Sequence, residues 1–152
     1  MVKEYILEES FGYLTGHAYR SINRRLKQLF ESEGHPITVE QFGVMVHLWD
    51  NDGRCQHEIA EILDKDKPSI SRLLSHLEKK GLLERKADDS DCRKKLIHLT
   101  DSGRMLEKAS KKLALQVYNE CLNGLVETEI NTTKEVLRNI KSKLIHNYST
   151  TL

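Results

Sequence analysis

The stretch DKDKPSISRLLSHLEKKGLLERKADDSDCRKKLIHLTDSG, residues 64–103, decides the fold. Its first half is a helix read from period alone. Ile70, Leu73, Leu74 and Leu77 fall at i, i+3, i+4 and i+7, a single apolar stripe for burial. Ser69, Arg72, His76 and Lys79 project from the opposite side. Pro68 sits in the first turn, where its missing N–H has no partner to lose. Gly81 takes the position just past the helix end.

After Gly81 the period changes. LLERKA and KKLIHLT are short β-capable runs on either side of DDSDCR, which reads as a hairpin with a polar loop. Upstream, residues 57–63 form a short helix with Ile59, Ala60, Ile62 and Leu63 offered to the core, and DKDK turns the chain into the next helix. A short helix, a tight turn and a helix bearing small hydroxyls and a base describe a helix-turn-helix, and the hairpin makes it winged.

The remaining segments are helical. Phe11, Leu14, Ala18, Ile22, Leu26 and Leu29 give one long stripe, with Tyr13, His17, Arg20 and Arg24 gathered opposite. EGHP at 33–36 breaks that helix. Thr38 with Gln41 carries a capping-box signature ahead of QFGVMVHLW, and DNDG at 50–53 ends the second helix. Thr100 caps a helix with the stripe Leu106, Ala109, Leu113, Val117 and Cys121, Cys121 being a packing residue. After NGLV a final helix carries Ile130, Leu137, Ile140 and Leu144. The predicted fold is mainly α with a small two- to three-stranded β-wing, in one domain over 1–152. Within it, 38–100 form the winged helix-turn-helix, flanked by N- and C-terminal dimerisation helices at 8–32 and 101–147.

Composition narrows the function. The chain has 152 residues, 31% charged and 38% hydrophobic, with a formal net charge of only +1. Between Lys67 and Lys95, however, nine basic side chains face five acidic ones. That local excess is built to meet an anion. No apolar run approaches the length of a membrane span, and MVKEYILEES lacks the pattern of a signal peptide, so the expected location is the cytoplasm with no membrane partner. Cys55, Cys92 and Cys121 form no C-x-x-C pair and the seven histidines are scattered, so neither a disulfide framework nor a metal site is expected. No cofactor is expected either. Catalysis lacks a Gly-rich phosphate loop, H-E-x-x-H or G-x-S-x-G, and His57 and Glu58 point about 100° apart on a helix, so an enzyme is not expected.

The segment 64–103 resembles the winged-helix core of the MarR (multiple antibiotic resistance regulator) family of bacterial transcription factors. The resemblance rests on LEKKGLLER, on the D-x-D-x-R of Asp89, Asp91 and Arg93, and on the LT-x-x-G of Leu99, Thr100 and Gly103. The flanking helices share the family's order and lengths. The resemblance implies a homodimer whose first and last two helices interlock, with recognition helices in successive major grooves of a pseudo-palindromic operator in double-stranded DNA and wings in the flanking minor grooves. Ser69, Ser71, Arg72 and His76 are then the major-groove candidates, Arg pairing with guanine and Ser allowing close approach to phosphates, with Lys67 and Ser75 as further DNA-contact candidates. Arg93 would enter the minor groove, Asp91 would hold its guanidinium, and Lys94 would contact phosphate. The expected role is a regulator, a repressor sooner than an activator.

The resemblance also implies a small aromatic or anionic effector, for which Tyr13, His17, Arg20, Arg24 and Trp49 are the candidate lining. Those residues equally suit an ordinary polar helix face with Trp49 in the core. Cys92, beside Arg93 and Lys94, departs from the family's wing and is a candidate redox-sensitive position. The alternative from another class is a winged-helix protein-interaction module whose basic face is simply solvated.

Overall fold

The computed structural model describes residues 4–87 and 95–148. Its helices are α1 (Phe11–Ser32), α2 (Val39–Asp50), α3 (Gln56–Ile62), α4 (Lys67–Lys79), α5 (Asp101–Met105), α6 (Glu107–Leu122) and α7 (Glu127–Tyr148). Strands β1 (Arg54–Cys55), β2 (Leu83–Ala87) and β3 (Lys95–Leu99) form an antiparallel sheet in the order β1-β3-β2. The hairpin is the pair β2–β3, with Leu83 opposite Leu99 and Arg85 opposite Ile97. β1 adds a third strand, too short to leave a periodic signal, by pairing Arg54 with Ile97. The chain divides into two compact units, residues up to 117 and residues from 118 onward.

Local chemistry sets the helix ends. Thr38 accepts from the Gln41 N–H while the Gln41 side chain accepts from the Thr38 N–H, the capping box expected from sequence. Asp66 caps α4, accepting from the Ser69 backbone N–H at 2.8 Å and from the Ser69 hydroxyl at 2.8 Å. Asp64, in the turn between α3 and α4, adopts φ 49°, a left-handed conformation that Asp tolerates better than most residues. Gly81 follows α4 with φ 69°, the position where a side chain would be strained. Thr100 accepts from the Gly103 N–H and donates to the Gly81 carbonyl at 2.6 Å, so one hydroxyl caps α5 and ties it to the end of α4.

The core of the first unit joins Leu26, Leu29 and Phe30 of α1 to Val44, Met45 and Leu48 of α2. Ile59 of α3, Ile70, Leu74 and Leu77 of α4, and Ile97 and Leu99 of β3 complete it. The α4 stripe is therefore buried as its period requires, with Leu73 only partly covered at the edge. Three expectations are corrected. Ile62 is 40% exposed, because α3 ends there and its burying face has already been used by Ile59 and Ala60. Cys121 is exposed. The chain breaks at Leu106 between α5 and α6, and the buried line of α6 runs through Ser110 and Val117, with Leu113 and Ala114 partly covered, leaving Ala109 and Cys121 outside it. Ser110 is tolerated in the core because its hydroxyl donates to the Leu106 carbonyl at 2.7 Å.

The N-terminal half of α1 is different. Phe11, Leu14 and Ile22 carry the predicted stripe but are 63%, 53% and 42% exposed. In the second unit, Leu125, Val126, Leu137 and Leu144 are exposed as well. No helix among the described residues is long and apolar enough to cross a membrane.

Candidate nucleic-acid interface

The outer face of α4 is polar because burial of Ile70, Leu74 and Leu77 on one side leaves the opposite side to solvent. Lys67, Arg72, His76 and Lys79 are exposed there, while Ser69, Ser71 and Ser75 are partly covered between the two faces. The small serines keep the surface low around the one long guanidinium, so a groove floor can approach the helix axis closely. Ser69 differs from its expected role in one respect: its hydroxyl proton goes to Asp66, so toward DNA it has only acceptor capacity left. The hydrogen bonds from the Ser69 backbone N–H, and then from its hydroxyl, hold the Asp66 carboxyl below the usual carboxylate range. It stays ionised at the helix N-terminus, where the helix dipole favours it.

Two contacts that sequence reading missed position this helix. Arg85 lies on the inner face of β2, two residues after buried Leu83, and donates to the Glu78 carboxylate at 2.7 Å. It thus links the hairpin to the last turn of α4. Lys80 donates to the Pro36 carbonyl at 2.6 Å and to the Gln41 side-chain oxygen at 3.0 Å, anchoring the end of α4 to the start of α2. Both basic residues counted toward the charge excess of the segment. Neither partner is visible in a local pattern, since the acceptors of Lys80 lie 44 and 39 positions away.

At the other end of the hairpin, Asp52 accepts from the Leu99 N–H at 2.9 Å and from Arg104 at 2.7 Å. Burial alone would raise its carboxyl, but the bonds from Leu99, Arg104 and the Gly53 N–H together pull it below the usual range. Gly103 packs so closely that a Cβ there would lie 2.1 Å from the Leu82 carbonyl oxygen. The glycine of the LT-x-x-G pattern is therefore a steric requirement where α5 crosses the start of β2. Asp91, Arg93 and Lys94, the expected wing contacts, and Cys92 lie outside the described residues.

A buried core carrying a short helix, a turn, a helix with a basic outer face and a three-stranded hairpin sheet is a winged helix-turn-helix. Residues 37–95 match the model of the MarR family. The structure of S. aureus MepR in complex with DNA is 30% identical, over 88% of this chain and 98% of that one, with a TM-score of 0.79. The chain belongs to the MarR family. A MarR-family transcriptional regulator from Rhodococcus sp. RHA1 is 25% identical over 90% of this chain and 97% of that one, with a TM-score of 0.79. BpsR of Bordetella bronchiseptica, whose DNA binding is regulated by 6-hydroxynicotinic acid, is 25% identical over 91% and 97%, with a TM-score of 0.82. Members of the MarR family are transcriptional regulators and not enzymes.

The MarR-type effector candidates are placed as follows. The Tyr13 and His17 rings lie with centroids 4.2 Å apart on α1, tilted by 39° to one another. Arg20 folds back so that its guanidinium passes 3.3 Å from where a Gly16 Cβ would stand, and Arg24 is exposed. Trp49 packs near Phe42 at 6.1 Å and donates from its indole nitrogen to the Gly103 carbonyl at 2.9 Å. Trp49 thus serves as a strut between α2 and α5. A cleft of ≈ 360 Å³ opens elsewhere in the first unit, between the end of α1, residues 35–40 and Lys80, and none of these five residues lines it.

Proposed function

We propose that the protein is a homodimeric, sequence-specific repressor that binds a pseudo-palindromic operator and is modulated by a small-molecule effector in the cytoplasm. The observation that carries this reading is the α4 surface: exposed Arg72, His76 and Lys79 among low serines, with Lys67 at the N-terminal end and the hairpin directly following. An α-helix of that shape fills the major groove, where an arginine can bond guanine O6 and N7 together. Arg93 and Lys94, outside the described residues, would meet the minor groove and its phosphates, with Asp91 to orient the arginine. Among relatives, MepR was solved on DNA.

The homodimer is supported by the uncovered apolar side chains of α1 and of the second unit. A monomer leaves Phe11, Leu14, Ile22, Leu125 and Leu144 in water, whereas a second copy would bury them. Repression is the favoured sign, since a dimer reading two half-sites one helical turn apart would block access to the DNA without a dedicated activation surface. Effector control is supported by BpsR, which responds to 6-hydroxynicotinic acid.

The test is selection of randomised duplex DNA by the purified protein, followed by sequencing and repeated with Arg93→Ala. An enriched inverted repeat that degrades in the variant is the expected result. Enrichment of no sequence, together with affinity indifferent to salt, would instead favour a winged-helix module for protein interaction, because phosphate contacts make DNA binding fall steeply with salt.

A further inference from the structure

The turn between α1 and α2 joins three elements. His35 closes the end of α1, its backbone N–H bonding to the Phe30 carbonyl at 2.7 Å just after Gly34, which has φ 59°. Its side chain reaches α6, where Nε2 lies 2.8 Å from the Ser110 hydroxyl, 75 positions away in the chain. The next residue, Pro36, offers its carbonyl to Lys80 at the end of α4, at 2.6 Å. Two consecutive residues thus hold the turn to α6 and α4 to the turn.

Only one arrangement of protons fits the bond to α6. Ser110 is fully buried and gives its only proton to the Leu106 carbonyl at 2.7 Å, so toward His35 its oxygen accepts. His35 Nε2 therefore carries a hydrogen, and Nδ1 of the neutral ring is left as an acceptor. A second proton would put a full charge on a ring packed 4.5 Å from Phe30, and burial disfavours that charge. The surrounding charges do not offset it. Lys27 and Glu31 of α1 are paired with each other at 3.7 Å, while Glu33 before the turn and Glu40 of α2 are exposed. Lys80 of α4 brings a positive charge to the cleft that His35 also lines. On α6, Glu107 stands one turn before Ser110 and is held by Lys111 at 2.5 Å. Among the described residues, the ring's hydrogen-bond partner is Ser110 and no carboxylate.

We propose that the α1–α2 turn is a proton-sensitive junction: when His35 takes a second proton, its ring leaves Ser110 for water and carries with it the Pro36 carbonyl that holds Lys80 at the end of α4. A Cβ at Gly34 would meet nothing within 4 Å, so the turn has room to swing. A proton shifts an equilibrium only by binding one arrangement better than the other, and a ring in water takes it near the ordinary pH of about 6.5. At about pH 5.5 the open arrangement therefore gains up to about tenfold in weight over a closed one that stays neutral. Lys80 then keeps Gln41 and loses Pro36. The junction stands without DNA; its effect on DNA affinity rests on the DNA-binding reading.

The experiment is an amide and imidazole ¹H–¹⁵N titration of the full chain between about pH 8 and 5.5, on the original protein, His35→Gln and Ser110→Ala. At the upper end His35 should show the Nε2–H tautomer. On acidification, amide shifts that follow the His35 titration should be confined to residues 34–41, 79–82 and 106–114. His35→Gln, a donor that does not titrate, should abolish them. Ser110→Ala, which removes the bond made by the neutral ring, should move the same transition to higher pH. An Nδ1–H tautomer, shifts at 79–82 that persist in His35→Gln, or shifts spread evenly through the core, as in global unfolding, would overturn the junction. In the second arm, affinity for duplex DNA should be equal in the original protein and His35→Gln at about pH 8, and several-fold weaker in the original at about pH 5.5, tenfold at most. Taking the ratio removes other titrations, since His57 and His76, exposed on α3 and α4, are common to both proteins. Equal affinities throughout, with the amide shifts present, overturn the effect on DNA alone. A protein that binds no duplex overturns that effect and the regulator reading together, and the amide titration still decides the junction.

Discussion

Arg85 of β2 donates to Glu78 of α4 at 2.7 Å, so the hairpin and α4 share a charged bond across the bend at Gly81. The pair is partly shielded, with side-chain exposures of 27% and 39%. Arg85→Ala should therefore cost about 1 kcal/mol of folding stability, between the values for an exposed ion pair and a charge-assisted hydrogen bond. If the pair also fixes the angle between helix and hairpin, affinity for duplex DNA should fall by more than the stability loss accounts for. Denaturant melts and a binding isotherm on the same preparation check this, and an isotherm unchanged from the original protein would remove the positioning role.

Arg72 and Lys67 are both exposed on or at the start of α4, but they should fail in different ways. Arg72→Ala should relax base preference at one position per half-site, at about 1–3 kcal/mol for a lost bidentate contact. Lys67→Ala should weaken all sequences alike and reduce the salt slope by about 1, as for a phosphate contact. Lys94→Ala should behave like Lys67→Ala. Binding measured on selected and scrambled duplexes at several salt concentrations separates the two classes.

Gly103→Ala places a methyl group against backbone that cannot turn away. The new carbon would stand 2.1 Å from the Leu82 carbonyl oxygen and 3.3 Å from the Leu99 side chain. Leu82 is itself pinned there, its carbonyl accepting from the Thr100 N–H at 3.1 Å. The expected loss is about 2–4 kcal/mol, in the range of overpacking and backbone strain combined. Thermal melts will show it, and a Tm within a few degrees of the original would mean the α5 crossing can shift freely.

His35 predicts an acid-side loss of stability. Burial lowers its folded pKa beneath the ordinary value of about 6.5, so on acidification the unfolded chain takes up the proton first. The favourable state is complete above about pH 6.5 and is lost as the pH falls from there toward the folded value. His35→Gln, which keeps a donor for Ser110 and does not titrate, should flatten the decline of Tm between about pH 7.5 and 5.5. A decline of equal slope in both proteins would assign the effect to other groups.

Ile22 and Leu14 lie on the uncovered part of the α1 stripe. If a second copy covers them, Ile22→Asp should yield a monomer by light scattering with its helical content intact, and operator affinity should collapse because half-sites are no longer bound together. A dimer that survives this change would place the interface elsewhere.

Where a residue's role depends on its neighbours in the chain, it was legible without the fold. The apolar spacing of Ile70, Leu74 and Leu77, the caps at Thr38 and Thr100, the stop at Gly81 and the change of period after it all act within a few residues, and each is present as read. Burial at element ends was less legible. Ile62 and Cys121 fit a stripe by spacing, yet a stripe is covered only where a neighbouring element reaches it, and the geometry of that neighbour is not local. Ser69 projects from the expected side, but its hydroxyl is already engaged by Asp66.

The sequence by itself thus determined the class of fold, the place of the basic-faced helix α4 and the sign of the charge it presents, since helix period and capping are short-range forces. Only the tertiary structure decided which charges stand exposed on the outer face of α4 and which are spent on tertiary contacts. Arg85 goes to Glu78, Lys80 to Pro36 and Gln41, and Arg104 to Asp52, the last across 52 positions of chain. In one dimension these are indistinguishable from any other basic side chains. Packing brings a particular acceptor within about 3 Å of a particular donor, and at that range a hydrogen bond selects its partner.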